Sequence, residues 1–96
     1  MLPDGHIARR LRIAGRVQGV WYRGWAVETA RTLGLDGWVR NRLDGSVEAL
    51  VVGPADMVDE LIRRCHKGPP TAMVERLEVE PAQGIVAAGF QLKPTV

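Results

Sequence analysis

The sequence predicts an α+β sandwich, two helices on one face of an antiparallel sheet, and three observations carry that expectation. Apolar residues alternate along several short runs, they recur at helical spacing along two longer ones, and glycine or proline punctuates each change of period. The resulting order is strand, helix, strand, strand, helix, strand. That is the ferredoxin-like arrangement of two split βαβ units, whose crossovers should be right-handed. A chain of 96 residues, 46% of them hydrophobic, suits one domain over 1–96 with a modest core.

Each element has its own justification. In the run Ile7 to Ala14, Ile7, Leu11 and Ile13 fall on one side and Arg10 and Arg12 on the other, as in a half-buried strand; only Arg9 breaks the apolar side. After the turn Gly15 to Gly19, Tyr22, Ala26, Thr29, Ala30 and Leu33 recur at helical spacing, and Gly34 closes the run as a helix C-terminal cap would. Gly37 to Asn41 and Ser46 to Val52 read as strands of a hairpin, joined by Leu43-Asp44-Gly45, where Asp-Gly supplies the positive φ of a tight turn. Gly53-Pro54-Ala55-Asp56 opens the second helix with proline at its first position, and Val58, Leu61, Ile62 and Cys65 form the apolar stripe. Gly68-Pro69-Pro70 stops it. Met73, Leu77 and Val79 then alternate with Arg76, Glu78 and Glu80 until Pro81, and Phe90-Gln91-Leu92 forms a short final strand after a Gly/Ala-rich connector.

Composition limits the function classes. Thirteen Lys/Arg against eleven Asp/Glu leave a formal charge of +2, a narrow excess that requires no nucleic-acid partner. No stretch approaches the length needed to cross a bilayer, and Met1-Leu2-Pro3-Asp4-Gly5-His6 shows no basic region followed by an apolar run, so the chain is expected to be soluble and unexported. A single cysteine, Cys65, excludes an intrachain disulfide framework and suits the cytoplasm. Two histidines and one cysteine show no metal-ligand spacing, so no metal is expected.

The chemistry concentrates in Gly15-Arg16-Val17-Gln18-Gly19-Val20-Trp21-Tyr22-Arg23. Glycines let successive backbone N–H groups converge, the helix that follows adds positive potential, and an arginine in its first turn reaches the same point. A phosphate suits such a cradle. A tight strand-to-helix connection would account for the glycines alone, and the stretch is neither a Walker A loop nor a dinucleotide fingerprint. Arg23 shifts the reading, because a cation at a helix N-terminus opposes the macrodipole unless an anion accompanies it. Asn41, at a strand end before the hairpin turn, reads locally as turn chemistry.

Together with Gly34-Leu35-Asp36-Gly37-Trp38-Val39-Arg40-Asn41, Asp44-Gly45 and Gly68-Pro69-Pro70, that stretch closely resembles the acylphosphatase family, over about Ile7 to Leu92. The resemblance implies a phosphate-binding loop of Arg16, Val17, Gln18, Gly19 and Val20 acting through backbone amides, with Arg23 binding the same phosphate through its side chain. It implies catalytic roles for Arg23 and Asn41, the asparagine orienting the attacking water. It further implies hydrolysis of acyl phosphates without metal or cofactor by a cytosolic monomer, and inorganic phosphate or sulfate, fitting the same amides and Arg23, are expected to compete.

The departures from the family pattern bear on rate. Tyr22 replaces the more frequent phenylalanine and adds a hydroxyl needing a partner, Trp21 is bulky beside the loop, and Ala26 lacks the hydroxyl that relatives often carry there. Cys65 is expected in the core, and Glu28, Glu75, Glu78 and Glu80 on solvated faces. Trp25 and Trp38 are expected to pack. The alternatives are a noncatalytic RNA-binding domain, disfavoured because Ser46 to Val52 offers no stacking aromatic, and an anion sensor that keeps the cradle without turnover.

Overall fold

The computed structural model describes residues 2–96. Its elements are β1 His6–Arg16, α1 Tyr22–Thr32, β2 Asp36–Asn41, β3 Val47–Pro54, α2 Ala55–Cys65, β4 Met73–Pro81 and β5 Phe90–Leu92. They form one sheet in the order β4-β1-β3-β2-β5. The first four pair antiparallel, as the element order implies, whereas β5 adds a fifth strand parallel to β2 and makes the sheet mixed. The direction follows from connectivity. β4 ends beside the start of β1, Pro81 opposite Arg9, at the edge where β2 begins, so the returning chain can only run alongside β2 in the same sense.

Both helices bury their stripes on one face. Tyr22, Ala26, Val27 and Ala30 of α1 and Val58, Leu61 and Cys65 of α2 share a core with Leu11, Ile13, Val39, Val47, Ala49, Val51 and Phe90. A fully buried Leu or Ile such as Leu11 or Ile13 contributes roughly 1.5 to 3 kcal/mol. A smaller cluster on the opposite face joins Ala8, Leu50 and Val52 to Leu2, Trp38, Ala82 and Val86, so the connector before β5 covers that end of the sheet. Covered on both faces, β3 is buried along nearly its whole length.

Some expectations need correction. Pro54 ends β3 and stands just outside α2, its ψ of 138° extended, so Ala55 takes the first helical position. In β4, Leu77 packs against the core but Met73 is exposed, and Val74 takes the inward position. A β-bulge is the cause: Ala14 faces Arg76 while Gly15 faces Val74, so the extra residue Glu75 reverses the alternation.

Candidate functional site

Topology brings the singled-out residues to one end of the fold. β1 and β2 each pair antiparallel with β3, so they run the same way and their C-terminal ends share an edge. The turn leaving β1 feeds the N-terminus of α1 at that edge, and β2 ends there with Asn41. Strand parity sets the asparagine's direction. Val39 lies in the core beneath the helices, and Asn41, two residues on, projects from the same face.

The turn is anchored from several directions. Val17 and Val20 point into the core, Gly19 takes φ 73°, and Thr71 donates from Oγ1 to the Val20 carbonyl at 2.6 Å. Gln18 donates through Nε2 to the carbonyls of Arg42 at 2.8 Å and Ser46 at 2.9 Å, which ties the turn to the β2–β3 hairpin. Among the described residues, the amides of residues 17–21 donate no hydrogen bond within the protein. They are available to a ligand. α1 then opens at Trp21, a non-glycine residue in the left-handed region at φ 67°, with no capping side chain and no acid in its first turn. Strain of that kind, roughly 1 to 3 kcal/mol, persists where the surroundings fix it. Gly24 assists, because a Cβ there would lie 2.1 Å from the Trp21 indole nitrogen.

Into this uncapped helix start comes Arg23, half-buried, with no ion pair or hydrogen bond among the described residues. Asn41 is the complementary feature. Its Oδ1 is buried and has no hydrogen-bond partner among the described residues, an acceptor whose desolvation none of them offsets. Its backbone is occupied: Asn41 faces Val47 in the ladder and accepts from the Val96 amide at 3.2 Å.

Comparison with known proteins gives the family of the chain. The family model for acylphosphatase matches residues 9–92. The chain belongs to the acylphosphatase family. It is 60% identical over 94 residues to the acylphosphatase of Rhizorhabdus wittichii, covering 98% of this chain and 94% of that one. Its fold is similar to an acylphosphatase structure from Coxiella burnetii, with a TM-score of 0.90 at 29% identity over 94% of this chain and 95% of that one. It is similar also to the acylphosphatase of Bacillus subtilis, with a TM-score of 0.85 at 31% identity over 91% and 98% of the two chains.

In this acylphosphatase Arg16 is the exposed last residue of β1, paired with Met73, so it stands at the turn's edge. The Gln18 carboxamide is committed to the hairpin, leaving only its amide for a ligand. Ala26 is buried in the core, so its missing hydroxyl would have lain beneath the helix. The Tyr22 hydroxyl finds its partner in the Cys65 carbonyl at 2.6 Å, and burial raises its pKa. Burial likewise pushes the Cys65 thiol up to about 12, so it offers no thiolate nucleophile near neutral pH. Trp25 packs against the core and Trp38 against the opposite cluster, with the Arg40 guanidinium 4.5 Å above the Trp38 ring. Glu28, Glu75, Glu78 and Glu80 are exposed.

One charged group escaped the sequence reading. Glu48 on β3 is 4% exposed, on the sheet face away from the helices. Arg40 donates to its Oε1 at 2.9 Å, Arg42 at 3.0 Å, and Arg10 lies 3.7 Å from Oε2. Burial opposes ionisation of Glu48, but hydrogen bonds from Arg40 and Arg42 outweigh it and hold the carboxyl below its ordinary range. Since Arg42 also supplies the carbonyl that receives Gln18, this cluster steadies the hairpin on which the turn rests. A Glu at an alternating strand position looks solvent-facing in sequence, and only the arginines on the neighbouring strands reveal otherwise.

Proposed function

We propose that the acylphosphatase activity of this chain is metal-independent transfer of the phosphoryl group of an acyl phosphate to water, with Asn41 holding the water and the turn and Arg23 holding the phosphate. The observation that carries it is the unpartnered Asn41 Oδ1 at the end of β2, at the same edge as a turn of free amides. The amides from Val17 to Val20 and the Arg23 guanidinium receive the nonbridging oxygens, and Arg16 frames the turn. Asn41 accepts one proton of the water and fixes its oxygen for in-line approach. A phosphorus–oxygen bond forms to water as the bond to the carboxylate breaks. The products are the free carboxylate and dihydrogen phosphate, which sheds a proton to solvent according to pH. The leaving carboxylate is a weak base and needs no strong general acid, so preorganised donors supply the main stabilisation.

Hydrolysis of benzoyl phosphate by the purified protein tests the reading. Turnover is expected to persist in EDTA, and inorganic phosphate and sulfate are expected to inhibit competitively. Activity lost to chelator and restored by a divalent cation would overturn it. Arg23→Ala is expected to weaken phosphate binding and lower kcat/KM by roughly 10²-fold, since the guanidinium meets phosphate in ground and transition states alike. Unchanged phosphate affinity would remove Arg23 from the cradle. The same reading makes 1–96 a single domain and a cytoplasmic monomer. One sheet carrying every strand supports the first, and a lone cysteine, buried and unpaired, is in keeping with a reducing compartment. No helix among the described residues is long and apolar enough to cross a membrane.

A further inference from the structure

In-line displacement places the leaving group on the far side of phosphorus from the attacking water. With the water on Asn41, at the end of β2 beneath the helix layer, the acyl group departs away from the sheet. At the same end of the fold, in the helix layer, a cleft of about 350 Å³ opens between α1 and the C-terminal end of α2, lined by Trp25, Thr29, Arg63, Arg64, Lys67 and Pro70. The cleft adjoins the phosphate turn. Thr71, next to Pro70, holds the Val20 carbonyl, and the Trp25 amide donates to the Trp21 carbonyl at 3.0 Å.

We infer that this cleft receives the acyl group, and that its composition favours extended acyl phosphates whose far end carries a second negative charge. The inference rests on the reaction proposed above. Two features set the class. The first is an apolar wall: Trp25 is half-buried and fixed against Tyr22, ring centroids 5.4 Å apart. The second is a basic rim. Arg63 and Arg64 share one carboxylate, Glu60, while the exposed Lys67 makes no ion pair among the described residues. Three cations against one carboxylate leave the rim with an excess of two positive charges. A short acyl group leaves that rim unused, whereas a longer one ending in a carboxylate meets it after crossing the Trp25 ring.

The test compares glutaryl phosphate with pentanoyl phosphate, which match in length and differ in a terminal carboxylate against a methyl, with acetyl phosphate as the short reference. The ratio of kcat/KM is expected to favour glutaryl phosphate by roughly 3- to 10-fold, mainly through KM, and to fall toward one at high salt, as exposed charge pairs do. Lys67→Gln is expected to cut that ratio by roughly threefold while Lys67→Arg keeps it. A ratio at or below one overturns the inference. So does a preference that neither salt nor Lys67→Gln reduces, because another part of the surface would then be selecting the charge. Acetyl phosphate turnover with a glutaryl to pentanoyl ratio of one overturns the cleft alone; absence of turnover with all three compounds overturns the proposed reaction and this inference with it.

Discussion

Asn41→Ala is expected to lower kcat for benzoyl phosphate by roughly 10³-fold while leaving the affinity for inorganic phosphate within about twofold of the original. The separation follows from what the side chain touches. Its Oδ1 has no partner among the described residues, and the backbone pairing of Asn41 with Val47 and Val96 does not involve it, so truncation removes no hydrogen bond of the fold among them. On the proposed reading the turn amides and Arg23 stay in place and still bind the anion, and only the holder of the water is lost. Calorimetric phosphate titration beside benzoyl phosphate kinetics measures both quantities, with thermal melting as the check on folding. Normal turnover would remove Asn41 from the reaction. A parallel loss of phosphate binding would make it a binding residue.

The second large effect concerns stability. Glu48→Ala is expected to destabilise the fold by about 2 to 3 kcal/mol at neutral pH, short of the largest losses for a broken buried pair because Arg10, Arg40 and Arg42 keep some access to water. The same group gives a pH signature. The folded-state pKa of Glu48 lies below its unfolded value, so its contribution is fully present above roughly pH 4 to 5 and is lost as pH falls through the folded value. Urea unfolding of both proteins at pH 7 and pH 3 checks this, with the gap between them expected to narrow at the lower pH. A gap that stays constant, or that widens in acid, would show that the buried carboxylate is not its source.

Order, period and punctuation were legible in the chain because they are local. Ile7, Leu11 and Ile13 announce β1, the spacing of Tyr22, Ala26 and Ala30 announces α1, and Asp44-Gly45 announces the hairpin, each within reach of its own neighbours. The bulge at Glu75 was not legible. It is a mismatch between two strands distant in sequence, and the glycine opposite it, Gly15, lies on β1 and reads there as the start of the turn, so nothing near Glu75 marks it on β4. The direction of β5 depended likewise on where β4 ends relative to β2. At the site, Arg23 could be singled out by charge at a helix start, but Asn41 looked like an ordinary strand-end asparagine. Its orphaned oxygen exists only once β2 is paired and the turn is packed nearby. The Gln18 carboxamide also hides its role in sequence, since its two acceptors come from the far end of a hairpin.

The tie from Thr71 to the Val20 carbonyl spans 51 positions of the chain, and those from Gln18 span 24 and 28. A cradle fastened by such distant segments has no counterpart in the unfolded ensemble, where loop closure works against every one of these contacts. On the proposed reading phosphate binds the native state alone, and mass action makes it a folding ligand: at a hundred times its Kd it is expected to add about 2.7 kcal/mol to the unfolding free energy. The anion expected to block turnover is then expected also to withdraw the chain from unfolding, so that added phosphate slows the enzyme and raises its melting temperature together.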